Sequence, residues 1–214
     1  MAPNLIGFKI GHRAMRGDTR RLAAVMTSIA AGEERADAAR LDAIATYATK
    51  LCAGIHHHHQ MEDNVLWPVI VRSAGAEADL SELTEDHGQL DPLLEEITGA
   101  AARLGTDQAA AGRMAKTLTT LADLLDEHIL EEERLIFPII TRYVSEKDWK
   151  NVENAVRKGG DLAFDLPRIP EYATDEEMAE LRKLAGPVLM VLLKVVSPGH
   201  RRRQKLILGS MWTR

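Results

Sequence analysis

Two stretches of the chain carry the same potential metal ligands at the same spacing. The first is LCAGIHHHHQMEDNVLWPVI (Leu51 to Ile70), and the second is DEHILEEERLIFPII (Asp126 to Ile140). Alignment on Pro68 and Pro138 places His58 on His128, Glu62 on Glu132, Asp63 on Glu133 and Trp67 on Phe137. The shared His-x-x-x-Glu spacing puts an imidazole and a carboxylate one turn apart on one helix face. This repeat of nitrogen and oxygen donors predicts two halves of one metal site.

The elements that position these donors are four amphipathic helices. Apolar residues recur at helical spacing over about residues 10–31, 37–67, 81–104 and 108–143, with short turns between them. Four long helices with short connections predict an all-α fold, an antiparallel up-down four-helix bundle over residues 1–145. Pro68 and Pro138 lie inside two of these helices, and each predicts an interruption.

Residues 146–214 form a less regular C-terminal extension. Ser145 and Thr174 are predicted helix caps, and Pro187 and Pro198 are expected to begin an apolar helix and a basic helix. Short helices of this kind are predicted to pack across the bundle or to mediate a homodimer. The apolar helix beside a basic cluster also fits a membrane surface, which is the weaker interpretation.

His12 and His87 complete the set of donors, because each lies on the apolar face of its helix. From His12 to His58 the chain advances 46 residues, and from His87 to His128 it advances 41, so the whole pattern is a tandem helix-hairpin repeat. It predicts a di-metal site with six ligands: His12, His58, Glu62, His87, His128 and Glu132. Buried carboxylates without partners carry a large desolvation penalty, which bound cations remove.

Imidazole and carboxylate donors suit iron, manganese or zinc, and redox-active iron fits an open, buried site best. If both glutamates bridge two ions, an oxo or hydroxo bridge and a small ligand such as dioxygen, peroxide or nitric oxide can fill remaining positions. A single inward histidine is usually an ordinary core residue, so this prediction depends on both repeats together. A structural bundle with incidental metal is the third alternative, beside an enzyme and a sensor.

Several neighbouring residues leave the ligand set open. His59 with Asp63 is an alternative His-x-x-x-Asp pair, although the proline alignment favours His58. Asp91 lies one turn after His87 and is a candidate ligand, a hydrogen-bond partner of a ligand, or neither. At least some of the histidines next to His58 are expected to be solvated or to lie behind the ligands. Glu131 and Glu133 are expected to form a solvated acidic face.

Composition and motifs argue against several other functions. A formal charge of −5 argues against nucleic acid as a partner. The single cysteine, Cys52, excludes an internal disulfide and suits a reducing compartment. The N-terminal region has no signal-peptide layout, and no apolar run approaches the ~20 residues that span a bilayer. We therefore expect a cytoplasmic protein without stable membrane insertion. Zinc-protease HExxH, ferritin-type Glu-x-x-His and phosphate-loop motifs are absent from the sequence.

The order H … HxxxE … H … HxxxE, with Trp-Pro or Phe-Pro after each HxxxE, resembles the hemerythrin-like (HHE cation-binding) family of bacterial non-heme di-iron proteins. The resemblance covers residues 1 to about 145. GHRAMRGD near the start and PVLMVLLKVVSPGHRRRQK near the end are similar to a bacterial subgroup with a C-terminal helical extension. The resemblance implies two non-heme iron ions held by the six ligands named above.

The chain departs from the oxygen-carrying hemerythrins in two ways. They have a fifth histidine where this chain has Asp91, and their last carboxylate is an aspartate five residues after its histidine. The resemblance therefore implies peroxide decomposition of a catalase-like kind, or a response to oxidative or nitrosative stress, in place of oxygen carriage. The alternative is a protein that senses or binds oxygen, nitric oxide or iron without turnover.

Overall fold

The fold is known from a computed structural model that describes residues 2–75 and 78–212 of the 214-residue chain. Every regular element within these residues is helical, which confirms the predicted all-α class. The bundle contains α1 (Ile6–Ala30), α2 (Ala38–Met61), α4 (Ser81–Ala101) and α5 (Ala110–Tyr143). Helix α1 packs against α5, α5 against α4, α4 against α2, and α2 against α1.

The proline in the second helix follows a widened turn. Residues Glu62–Leu66 form a π-helical segment in which the Trp67 N–H donates to the Glu62 carbonyl. Helix α3 (Trp67–Ala74) continues from it, with Pro68 in its first turn, where proline costs no helical hydrogen bond. A π turn inserts extra backbone into a helix and is frequent at functional sites. The predicted interruption at Pro68 therefore takes the form of this π segment.

The predicted interruption at Pro138 is wrong, because α5 runs continuously from Ala110 to Tyr143. Proline removes the hydrogen bond to the carbonyl four residues earlier, which here belongs to Arg134. Both Pro138 and Arg134 are exposed, so water can satisfy that carbonyl.

The C-terminal extension is helical, as predicted. It contains α6 (Glu146–Gly159), α7 (Leu162–Asp165), a 3₁₀ turn (Leu166–Arg168), α8 (Ile169–Tyr172), α9 (Asp175–Leu208) and a final 3₁₀ turn (Gly209–Met211). Ser145 caps α6 and Thr174 makes a capping box with Glu177, as predicted. Helix α9 bends at Gly186, whose φ of 67° is left-handed, directly before Pro187. Pro198 lies inside α9 and begins no separate helix.

Two apolar clusters lie above and below a polar level of the bundle. One contains Leu22, Ile44 and Leu118, and the other contains Ile70 and Ile136. The extension contributes to both: Phe164, Ile207 and Leu208 join the first, and Trp149 and Val152 join the second. In each long helix the predicted ligands fall between the two clusters, which therefore shield that level from solvent.

A buried ionic cluster ties the extension to the bundle. Asp18 of α1 is 1% exposed and accepts hydrogen bonds from Tyr47 Oη and Arg168 Nε, each at 2.7 Å. Tyr172 Oη donates to the other oxygen of the same carboxylate. Burial raises the pKa of Tyr47 well above its usual value, so this phenol remains a donor. Asp18 thus joins α1, α2 and the extension.

Candidate metal centre

Seven histidine and glutamate side chains meet at the polar level of the bundle. Their donor atoms form two groups, and within each group they lie within 4.8 Å of one another. The first group contains His12, His58, Glu62 and Glu132, and the second contains His59, Glu62, His87 and His128. Glu62, at the start of the π segment, belongs to both groups. This arrangement suits two adjacent ions that share a carboxylate.

The imidazole nitrogens approach one another at the separation expected for ligands of one ion. His12 Nε2 and His58 Nε2 are 3.1 Å apart, and His87 Nε2 and His128 Nε2 are 3.2 Å apart. Two nitrogens at ~2.1 Å from one ion and at right angles would lie about 3.0 Å apart. His87 and His128 each use Nδ1 to donate to a carboxylate, so their facing Nε2 atoms both present lone pairs. A cation between them removes this repulsion.

The two glutamates at this level of the bundle, Glu62 and Glu132, lack hydrogen-bond partners among the described residues. Glu62 is 2% exposed and Glu132 is fully buried, and none of their four oxygens has a partner among the described residues. The nearest nitrogen, His58 Nε2, lies 2.8 Å from Glu62 Oε1 but without hydrogen-bond geometry. Both ring nitrogens of the buried His59 are also unpaired. Orphaned buried donors and acceptors are costly, so the residues fit a bound metal.

Burial sets the protonation of these groups when metal is absent. It raises the pKa of Glu62 to about 8 and that of Glu132 well above its usual value. It lowers the pKa of His58 to about 3 and that of His128 to about 4, with a further contribution from neighbouring His87. The imidazoles of His58 and His128 are therefore neutral and ready to bind, whereas the glutamates must release protons when a cation enters.

Each hairpin orients the single histidine of the other hairpin. His87 Nδ1 donates to Asp63 at 3.0 Å, and His12 Nδ1 donates to Glu133 at 2.9 Å. The aromatic rings also contact the histidine of the other hairpin. Trp67 lies parallel to His87, and Phe137 lies parallel to His12, each with ring centroids 6.2 Å apart. The expectation that Glu133 belongs to a solvated face is therefore wrong. The alignment of Asp63 with Glu133 and of Trp67 with Phe137 in the sequence could have predicted that both acids have the same role.

The two halves differ at one buried position. His59 is 2% exposed and stacks on His87 with ring centroids 4.2 Å apart, whereas its counterpart in the second repeat is Ile129. His58 and His59 therefore both reach the centre. Asp86, which accepts from His128 Nδ1 at 3.2 Å, was not singled out by the sequence, because a single partly exposed acid near the start of a helix has no distinguishing pattern.

The structure places Asp91 and two of the four consecutive histidines at the surface. Asp91 Oδ1 accepts from His56 Nδ1 at 2.9 Å, and both side chains are nearly half exposed. His57 donates to the Val156 carbonyl of α6. None of these three residues belongs to either donor group.

A small cavity opens at the surface between α4 and α5, beside His128. Its volume is about 150 Å³, and His128 forms part of its wall. The other lining residues are Asp86, Gln89, Leu90, Leu124, Glu127 and Glu131. The cavity can admit a small polar molecule or a cation to the imidazole of His128.

Buried imidazoles and carboxylates on facing helices define the class of helical bundles that hold metal ions in their interior. The hemerythrin HHE cation-binding domain matches residues 8–140, more than half of the chain. The chain therefore belongs to this family, as its resemblance predicted. No curated protein and no solved structure matches it. Across residues 2–75 and 78–212, each helix is too short or too polar to cross a membrane.

Proposed function

We propose that the chain is a non-heme di-iron protein that decomposes hydrogen peroxide. One ion would be held by His12, His58, Glu62 and Glu132, and the other by His59, His87, His128 and Glu62. The observation that carries the proposal is the membership of Glu62 in both donor groups. Mixed imidazole and carboxylate donors suit iron.

Two iron ions would relay electrons between two peroxide molecules: one peroxide gives up two electrons and two protons and becomes dioxygen, and the other takes them up and becomes two waters. The protein side chains bind and position. Asp63, Asp86 and Glu133 fix the imidazole orientations through Nδ1, and the apolar clusters exclude bulk water.

The cavity beside His128 supports a small substrate such as peroxide. Its volume of about 150 Å³ excludes large organic molecules, and its carboxylates and Gln89 are hydrogen-bond acceptors for a peroxide O–H. Dioxygen and nitric oxide gain little from such a lining, because they are poor hydrogen-bonding partners.

One observation favours a sensor as the second candidate. Asp18 lies on the same helix as His12 and holds Arg168 and Tyr172 of the extension. A ligand that shifts α1 at the centre would therefore act on the extension through a buried ion pair. A sensor responds to oxygen, nitric oxide or iron without turnover, and residues 146–214 change in mobility or association.

The test combines metal content with turnover. The untagged chain is purified, its iron per chain is measured, and its visible spectrum is recorded before and after peroxide while an electrode follows dioxygen release. About two irons per chain, with a band that peroxide perturbs and that then recovers during dioxygen release, support the proposal. Glu132→Gln should abolish release, whereas the surface variant Asp91→Asn should retain it.

Other outcomes decide against peroxide decomposition. Dioxygen release no faster than that of the same concentration of free iron rejects it. A band that responds to oxygen or nitric oxide but not to peroxide, together with altered hydrogen exchange in residues 146–214, selects the sensor. Failure to retain a redox metal after reconstitution rejects both.

A further inference from the structure

A second cavity, of about 280 Å³, lies on the side of the bundle where α1 meets α5. Three arginines of α1 line it, and they follow His12 in the stretch GHRAMRGDTR (residues 11–20), of which only the histidine belongs to the metal centre. Steps of three and four residues place these arginines along one face of α1. The complete wall consists of Arg13, Arg16, Gly17, Arg20 and Asp126.

The carboxylate of Asp126 holds two of the guanidinium groups in place. Arg16 Nε donates to Asp126 Oδ1 at 2.6 Å, and Arg20 donates to Asp126 Oδ2 through Nε and Nη2, at 3.0 and 2.6 Å. Arg20 Nη1 also donates to Asp123, so all three nitrogens of Arg20 are bonded to acids. Both Nη groups of Arg16 lack a protein partner among the described residues. A carboxylate that fixes the Nε of an arginine orients its remaining N–H groups for an anion.

Arg13 connects the cavity to the C-terminal extension. Its Nε donates to the Tyr172 carbonyl at 2.8 Å, and its Nη2 donates to the carboxylate of Glu177 in the first turn of α9. Its Nη1 has no protein partner within residues 2–75 and 78–212. Three amino groups on two guanidinium ions are therefore available for a ligand: Nη1 and Nη2 of Arg16, and Nη1 of Arg13.

These donors suit a phosphoryl group. The acids Asp123, Asp126 and Glu177 offset much of the arginine charge, so donor geometry selects the ligand more than net charge does. A phosphoryl group can place separate oxygens on the two guanidinium ions, and arginine forks match such oxygens in pairs. The exposed large apolar side chains of the described chain all lie outside the cavity wall, so a lipid surface would bury nothing there.

We propose that this cavity binds the phosphoryl group of a small soluble molecule, with Arg16 as the main contact and Arg13 as the second. The volume of about 280 Å³ is close to the lower limit of small-molecule sites, which favours a compact phosphate monoester. The ligand bridges α1 and the extension, because Arg13 is bonded to both Tyr172 and Glu177. The proposal is independent of the reaction at the metal centre.

The first test is calorimetric titration of the full chain with inorganic phosphate at fixed ionic strength, in the iron-loaded and the metal-free form. One phosphate per chain should bind to both forms, with a dissociation constant below about 1 mM. Glycerol 3-phosphate, a compact phosphate monoester, should bind at least as tightly. Acetate should bind about tenfold more weakly or less, because it has only two oxygens to offer.

The second test changes the arginines. Arg16→Gln should weaken phosphate binding by about tenfold or more, because two charge-assisted hydrogen bonds are lost. Arg16→Lys should also weaken it, because lysine keeps the charge but lacks the fork. Arg72→Gln removes the same charge at an exposed site on α3 and should bind as wild type does. Far-ultraviolet circular dichroism verifies that each variant is folded.

Several results overturn the proposal. The first is an absence of binding up to about 10 mM phosphate, tenfold above the expected limit. The second is binding that disappears with the iron, which places the phosphate at the metal centre. The third is an equal loss in Arg16→Gln and Arg72→Gln, which shows a response to net charge alone. The fourth is a chain that binds neither soluble phosphate but sediments with phosphatidic acid vesicles, which assigns the arginines to a lipid headgroup.

Discussion

The carboxylate of Asp63 accepts a hydrogen bond from Nδ1 of His87, 3.0 Å away on the other hairpin. The bond leaves Nε2 of His87 as a lone pair directed at the centre, because Nδ1 carries the ring proton. Glu133 has the same relationship with His12. The acid after each His-x-x-x-Glu pair therefore orients a histidine that belongs to the other half of the bundle.

Asp63→Ala and Glu133→Ala should each lower metal affinity by roughly 10–100-fold, because each removes the hydrogen bond that orients a ligand imidazole. Competition with a chelator of known affinity measures the change. Glu131→Ala is the control, since Glu131 pairs with the nearby Arg134 at the surface. Affinities equal to wild type in both variants would mean that these acids do not position the ligands.

His59→Ala should reduce the metal content from about two ions per chain to about one. His59 is the third imidazole of the second donor group, and its loss removes one nitrogen donor from that group alone. Elemental analysis after reconstitution gives the ratio. His56→Ala should keep the wild-type content, since His56 contacts Asp91 at the surface. Two ions bound by His59→Ala with unchanged affinity would exclude His59 from the ligand set.

Glu132→Gln should stabilise the metal-free chain while it destroys the response to metal. A fully buried carboxyl without a partner is costly, and an amide avoids the charge, so the free energy of unfolding should rise by about 1–2 kcal/mol near pH 8. Added iron should then produce no further rise, in contrast to wild type. Urea unfolding with and without iron measures both effects, and Glu127→Gln at the exposed cavity mouth is the control.

The metal-free chain should lose stability as the pH rises from about 6.5 to about 8. Glu62 has a pKa of about 8 when folded and about 4.5 when unfolded, so the folded state holds the extra proton in this range. The loss is at most about 1.4 kcal/mol per pH unit for each such group, or about 2 kcal/mol from Glu62 alone. Glu132 adds to it in the same direction.

His58 and His128 act at lower pH with the opposite sign. Their pKa values are lowered, so their protonation favours the unfolded state as the pH falls below about 6.5. Between about pH 6.5 and 4.5 the raised pKa values of Glu62 and Glu132 oppose this loss, so a net decline in stability is expected only below about pH 4.5. Urea unfolding at a series of pH values, in the presence of a chelator, measures both the loss of stability at higher pH and the loss at lower pH. The iron-loaded chain should show no decline toward pH 8, and its affinity for iron should increase over the same interval. A flat profile for the metal-free chain would contradict the buried, protonated glutamates.

Asp18→Asn should lower the free energy of unfolding by about 3–5 kcal/mol, because it leaves the buried Arg168 without its main counter-charge. Metal content should be unchanged, since Asp18 contacts none of the ligands. Chemical denaturation measures the loss. Asp123→Asn breaks an exposed pair with Arg20 and should cost no more than about 1 kcal/mol.

Helical periodicity predicted the bundle because every long helix has a continuous apolar stripe. The same stripes identified His12 and His87, and the tandem repeat identified His58, Glu62, His128 and Glu132 as one set. The structure brings all six together. Periodicity could not decide for His59, because adjacent residues on a regular helix point about 100° apart and only the packing of α2 shows that both reach the centre.

The extension was less predictable for a different reason. A proline in the sequence does not by itself predict where a helix bends, because a helix can continue past it. Pro138 and Pro198 both lie within continuous helix. The bend of α9 depends on the left-handed φ of Gly186, which precedes Pro187. The contacts of Arg168 and Tyr172 with Asp18 join residues about 150 positions apart, and no local pattern encodes them.

Each hairpin supplies the acid that bonds the single histidine of the other, and this arrangement bears on how the chain evolved. Neither hairpin alone can hold its single histidine, yet two identical hairpins related by a two-fold axis would satisfy the same bonds and the same stacking. The chain thus has the organisation that duplication and fusion of a gene for one self-associating hairpin would produce. His59, opposite Ile129, is then a position where the two copies differ, and it leaves one donor group with three imidazoles and the other with two.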